Sequence, residues 1–416
     1  MPPFRSSLRL ASAALCALTA ACASGGGGGA PRAVGPTAQE AAALPMRLET
    51  VGHGRVAHTR TTDLWVFHGV DGRRYAYTGT WGGCRGCVGD RMYAWDVTDP
   101  AAPVLTDSVV VDAMAINDVA VNAEGTLAAI GRRGAESRRN GVVILDLADP
   151  AHPRPVGEYW ETLTGGVQSV FWDGTRLYAV DVGAGELAIL DASTPSEPRL
   201  LSRWGVPGAP ERQLNDVVVR DGLAYLAYWD DGLVILDVGN GIKGGTPEAP
   251  RAVSQTRYRT RWMGDRWGAT HFAFPHTNTA GRPYVFVTDA LLPPDADLNR
   301  AVAMGGLLHA FDVRDPQVPL EVATYEVQDR GFNKLWAVGD TLFAATNNGG
   351  LRAVDISGDV RGRLARQELA VMSTADPQGF LPNLTFTVAV MPLDGLVFAT
   401  DFNSGLWIAR LVPGPR

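Results

Sequence analysis

Lysine is almost missing from this chain. Of its 37 basic residues only Lys243 and Lys334 are lysines, a bias we assign to genome composition and not to mechanism. Charge as a whole is sparse, at 19% of residues, and the formal net charge is −7. That balance argues against whole-protein attraction to nucleic acid or to anionic lipid. Beyond its start, the chain has no run approaching the ~18 apolar residues that a membrane-crossing helix needs. It has no G-x-S-x-G, no H-E-x-x-H and no P-loop. Cysteine is limited to Cys16, Cys22, Cys84 and Cys87. What the chain does have is a 46% hydrophobic composition with 48 glycines and 27 prolines, enough for a real core interrupted by many turns.

The chain opens with Arg5 and Arg9, an apolar run from Leu10 to Ala21 too short to span a bilayer, and then small residues. This is the pattern of an export signal over residues 1–21, which lies outside the fold. "LTAAC", ending at Cys22, resembles a bacterial lipobox and implies lipid on Cys22. Cleavage after Ala23 with release of a soluble protein is the alternative. Gly25 to Gly29 read as a flexible tether, which we place over residues 22–48, ahead of a folded unit over 49–416. Export leaves Cys84 and Cys87 in a compartment where disulfides persist.

Two phrases recur through that unit. One is "RMYAWDVTDPAAP" from Arg91, "GVVILDLADPAHP" from Gly141, "GELAILDASTPSEP" from Gly185, "GLVILDVGN" from Gly232, "GLLHAFDVRDPQVP" from Gly306, "GLRAVDISGD" from Gly350 and a shortened "GLWIARL" from Gly405. The other precedes each of these, as in "NDVVVRDGLAYLAY" from Asn215. Asp96, Asp146, Asp191 and Asp237 stand 45 to 50 residues apart. Within a unit, Asn215 to Arg220 reads as a strand, Asp221-Gly222 as a tight hairpin turn and Leu223 to Tyr228 as its partner. "GLVILDV" is a third strand buried on both faces. The following Asp and Pro fix a turn to a short fourth strand. Seven such units cannot stand alone, but arranged radially each covers its neighbours. The expectation is an all-β, seven-bladed β-propeller of four-stranded antiparallel sheets, with the stretch from Val56 to Thr61 supplying the last missing strand.

The phrase "GLVILDV…DP…P" resembles the LVIVD repeat of exported bacterial β-propellers, over about residues 60–411. The motif is structural. The resemblance therefore implies a fold and an envelope location, and no reaction.

The turns "DG", "AEG" and "DP" are short, whereas the connections from strand two to strand three and from unit to unit are long and varied. Loops of these two kinds share one face of a propeller, so recognition belongs there. Cys84-x-x-Cys87 lies in such a loop. It reads first as a local disulfide. A redox pair lacks the βαβ setting, and a zinc site lacks further cysteines. Asn117, Asp118, Gln168, Asn215, Asp216, His271 and Asn333 recur at the start of the innermost strand and form a candidate channel-mouth site. They either bond to neighbouring blades or make a polar pocket that takes Ca²⁺ or another divalent cation. Arg132, Arg133, Trp229, Arg257, Arg259, Arg261, Trp262 and Trp267 mix arginine with indole and are candidate partner contacts.

The sequence favours a non-catalytic binding module of the bacterial cell envelope. It would be membrane-attached through its lipid alone and face the periplasm or the exterior. No cofactor is expected, and the partner would be an envelope protein or polysaccharide, not nucleic acid. The competing reading is a metal-assisted hydrolase or lyase with its centre at the channel mouth.

Overall fold

The computed structural model describes residues 35–84, 86–208, 212–260 and 266–414. The expected signal segment and Cys22 lie outside the described residues. The fold is all-β. The unit read from the sequence is present: Leu214–Arg220, Leu223–Tyr228, Gly232–Asp237 and Arg251–Thr256 pair in that order as an antiparallel sheet. Asp221 and Gly222 both take positive φ (53° and 71°), the conformation that matches a two-residue hairpin to the twist of its strands. Every residue of Gly232–Asp237 is buried, as its unbroken apolar run requires. Other sheets begin at Val167–Asp173, Thr270–Thr277, Leu335–Val338 and Thr387–Leu393, while the strand sets that begin at Arg60–His68 and Ala115–Val121 are joined by the pair Trp81–Ala115 into one eight-stranded sheet. The units around Gly350 and Gly405, which depart most from the repeat, form the same kind of sheet.

The aspartate that ends the third strand does the same work repeatedly. Asp96, Asp146, Asp191, Asp312 and Asp355 each accept the backbone N–H two residues on, which sets the turn. Asp237 accepts from Gly239, Gly241, Lys243 and Gly245. Burial alone would raise its pKa, but these four donors hold it well below the ordinary carboxylate range.

Much of the core is divided into apolar clusters shared by consecutive strand sets. Tyr77 and Met92 pack with Ile130 and Leu145. Ile144 packs with Leu177 and Leu190. Phe286 and Leu308 pack with Leu342 and Val354. Val66 and Trp95 pack with Phe398 and Ile408. The last of these joins the C-terminal sheet to the first, so the row of sheets returns on itself. The fold is β-propeller-like.

The closing strand is not the one expected. Met46–Arg55, and not Val56 to Thr61, pairs with Gly405–Pro413, from Met46 opposite Pro413 to Arg55 opposite Gly405. Residues 56–59 instead cross to the inner strand that begins at Arg60, with Val56 buried against the first and last sheets. Residues 37–48, assigned above to the tether, hold a capped helix at Ala38–Ala42 and the start of this strand. Gly52 permits the fit, because a Cβ there would lie 1.9 Å from the Pro100 carbonyl oxygen.

Candidate functional site

The innermost strands carry a recurrent irregularity. Their pairing with the second strand slips at Thr61/Leu64, Ile116/Val119, Val167/Val170, Leu214/Asp216, Thr270/Phe272 and Thr387/Ala389. A bulge re-aims the residues in and beside it; Asp63 and Asp118 lie within two of these slips and Asp216 directly follows a third. All three converge on the ammonium group of Lys334, at 2.8, 3.0 and 3.3 Å. The Nζ also stands 5.4 Å from the centre of the Phe272 ring. The scarcity of lysine was read above as composition alone. Lys334, one of the two lysines, is the cation on which these three inner-strand carboxylates converge.

The remaining lone pairs tie the sheets together. Asp118 accepts from its neighbour Val119 N–H and from Val170 N–H of the next sheet. Asp216 accepts from Val217 N–H and from the Ser169 hydroxyl of the preceding sheet. Burial, with the negative charge of Asp118 next to it, pushes Asp63 well above its ordinary value. Burial also acts on Asp118, but Lys334 and the donors around it prevail and hold it below. Burial pushes Asp216 up to about 6. Burial opposes the charge on Lys334, yet Asp118, Asp216 and Asp63 raise its pKa well above the usual lysine range. The carboxylates that the sequence offered to a metal therefore surround a tethered ammonium ion. Among the described residues, no group of three or more His, Cys, Asp or Glu is arranged to hold a metal.

His271 does not join this cluster. Burial, then Lys334, lower it to about 3, so its imidazole is neutral over the working pH range. Its Nδ1 has no hydrogen-bond partner. The amides of the ring link neighbouring strands. Asn117 Nδ2 donates to Gln168 Oε1 (3.0 Å), Asn215 Nδ2 to the His271 carbonyl (2.6 Å) and Asn333 Nδ2 to Asn347 Oδ1 (3.1 Å). Together with Thr62, Asp63, Asp216, Lys334 and Phe402, the ring lines a polar space. Directly above it is a mostly apolar chamber lined by Trp81, Trp229, Leu292, Leu298, Phe386 and Phe402 among others. These residues come from strand ends and from the long connectors, which thus gather at this end of the channel.

The other candidates separate. Arg132 is buried and its guanidinium pairs with Glu158 at 2.9 Å, so it is a structural group and not a partner contact. Arg133 donates to Gln168. Arg257 is exposed and holds the Asp230 carbonyl. Arg259 is exposed and Trp229 half-buried. Arg261, Trp262 and the side chain of Trp267 lie outside the described residues. The sulfurs of Cys84 and Cys87 are in bonding contact, with Cα atoms 5.3 Å apart, and Cys84 packs on the cluster of Trp81, Leu298 and Phe402. The loop they close is very short. Reduction is expected to lower stability by less than about 2 kcal/mol, read as thermal melting with and without dithiothreitol, while a Cys84→Ser variant stays folded.

Comparison with known proteins agrees with this geometry. The family model described as the LVIVD repeat matches residues 137–161, 164–205 and 211–241. The chain carries LVIVD repeats. The third LVIVD segment spans the Asp221-Gly222 hairpin and the buried Gly232–Asp237 strand. The crystal structure of the computationally designed Ika8 protein, also β-propeller-like, is similar to this chain at a TM-score of 0.50 and 11% identity. The match covers 87% of this chain and 99% of that one, a likeness of fold alone. No curated protein matches in sequence. No described helix is long and apolar enough to cross a membrane.

The sequence reading missed Asp63, Lys334, Trp81, Phe386 and Phe402. For the first two, the signal was in the repeat. "TDLWV", "NDVAV", "QSVFW", "NDVVV", "HFAFP" and "NKLWAV" align so that Asp63, Asp118, Ser169, Asp216, Phe272 and Lys334 share one column. Such a column becomes a ring when the strands surround a channel.

Proposed function

We propose that this is an exported, lipid-anchored, seven-bladed propeller that acts as a binding module in the bacterial cell envelope. Its loop-rich face recognises another macromolecule there, a protein or a polysaccharide. The observation that carries the reading is the gathering of the long connectors around a mouth lined by Trp81, Trp229, Phe386 and Phe402, the residue types that anchor recognition. The pairing of Asp63, Asp118 and Asp216 with Lys334 favours this over a metal-assisted enzyme, because a fixed ammonium ion already stands where the three carboxylates converge. Attachment would be through Cys22 alone. Two results are expected. A Cys22→Ala variant moves from the membrane to the soluble fraction. Combined Arg257→Ala and Arg259→Ala substitutions weaken retention on isolated envelope material at least about tenfold, on the order of 1.4 kcal/mol. Retention unchanged by both arginine substitutions together with Trp229→Ala would remove the recognition face.

A further inference from the structure

We infer that the chamber at the channel mouth is a site for one uncharged sugar ring, the terminal residue of a glycan. This rests on the reading of the loop-rich end as a recognition surface, and names what that surface takes in. The chamber has a cavity volume of about 50 Å³, and the polar space beneath it, which shares Asn117, Asn333 and Phe402 with it, adds about 70 Å³. Its walls are flat and apolar, with Trp81, Trp229, Phe386 and Phe402 among them. Its floor has the opposite character. The nitrogens of Asn117, Asn215 and Asn333 are used in bonds to neighbouring strands, while among the described residues no donor meets their side-chain oxygens. Each of these residues is partly exposed and lines the polar space. Beside them are two buried nitrogens without partners, His271 Nδ1 and Asn347 Nδ2, on side chains that are 5% and 0% exposed. Buried polar groups of this kind are rare unless something meets them. The site thus combines a set of acceptors, an unmet amide donor and aromatic faces. A ring with several hydroxyl groups on its rim and C–H groups on its faces matches all three.

Charged ligands match less well. The Arg60 guanidinium already stacks on Trp81 and Phe402, at 5.1 and 4.8 Å, which sets a positive charge behind the walls and disfavours a cation. The Lys334 ammonium below is taken up by three carboxylates, so the cation nearest the chamber is Arg60, which is covered by the two rings and held by Asn299. The segment from Leu291 to Gly305, closed at its base by a backbone bridge between those two residues, lays Leu292, Leu298 and Met304 along the chamber. Arg60 holds it through Asn299 at 2.8 Å.

The test is titration of the folded protein with glucose, galactose, mannose and N-acetylglucosamine, with tetramethylammonium and acetate as charged controls. Tryptophan fluorescence and saturation-transfer NMR are the readouts. At least one sugar is expected to saturate with a Kd of about 1 mM. Trp229→Ala and Asn333→Ala should each weaken it at least about tenfold, while Arg199→Ala, on an exposed side chain away from the mouth, leaves it unchanged. Trp229→Phe keeps a ring in place and guards against a folding defect, and should retain most of the affinity. The inference is overturned if no sugar saturates by ~100 mM, if a charged control binds in their place, or if sugar binding survives both Trp229→Ala and Asn333→Ala. Envelope retention that persists while every sugar fails would sink this inference and leave the recognition face standing. Sugar binding without envelope retention would do the reverse.

Discussion

Lys334→Met is expected to destabilise the protein by about 3–5 kcal/mol at neutral pH, the usual cost of leaving buried charges without their partner. The substitution keeps much of the side-chain volume and removes the ammonium that Asp63, Asp118 and Asp216 surround. For a chain of this size the melting temperature should drop on the order of 5 °C. The pH dependence gives the sharper check. Without Lys334, burial and mutual repulsion leave all three carboxyl groups with folded-state pKa values above their unfolded ones. A group with a raised carboxyl pKa contributes stability that is complete below the unfolded pKa and is lost as pH rises through the folded one. The variant should therefore gain stability as pH falls from 8 to 5. In the native protein Asp216, raised to about 6, contributes in that same direction. Asp118, held low, contributes in the opposite one, with stability present above its unfolded pKa and lost as pH falls. Lys334, raised above the usual lysine range, keeps its contribution until the solution is strongly alkaline. Adding Asp63→Asn, Asp118→Asn and Asp216→Asn to Lys334→Met should recover much of the loss, because it removes the unpaired charge. Urea unfolding at several pH values measures all of this. A Lys334→Met protein as stable as the native one at pH 8 would mean that the ammonium does not hold the channel together.

Truncation to begin at Val56 should be at least as damaging. It removes the strand Met46–Arg55, which is registered against the last strand from end to end, and it uncovers Leu48 from its apolar cluster. At about 1 kcal/mol per hydrogen bond, with apolar burial added, the loss is on the order of 5–10 kcal/mol, comparable to the whole stability of a domain. Gly405–Pro413 would become an exposed edge, which invites pairing with other chains. The expected result is a chain that associates or fails to melt cooperatively, seen by light scattering and calorimetry. A synthetic peptide of residues 44–56 should restore the monomer by adding the strand in trans. Gly52→Val tests the same contact in the intact chain, since its side chain would meet the Pro100 carbonyl. A truncated protein that stays monomeric and melts within about 2 °C of the native one would show that the ring does not depend on this strand.

The sequence announces its strands because each one has a local cause. The Asp221-Gly222 turn, the buried "GLVILD" run and the capping aspartates act over a few residues, and a repeat states them many times. Pairing partners far apart in the chain are less legible. Met46–Arg55 precedes the first inner strand and Val56 to Thr61 runs into it, and both have β-compatible residues. The choice between them was made by the fit of Gly52 and Gly54 against Pro100 and Trp95, contacts that a linear reading does not contain. Arg132 looked like a surface arginine until the fold placed Glu158 beside it.

By itself the sequence determined the sheet unit, its repetition and the end of the unit at which variation collects, because turn chemistry and apolar alternation are local properties. Only the tertiary structure decided what occupies the centre. Asp63, Asp118, Asp216 and Lys334 are separated by dozens to hundreds of residues, and their charges interact strongly only when the inner strands bring them within hydrogen-bonding distance in the buried interior.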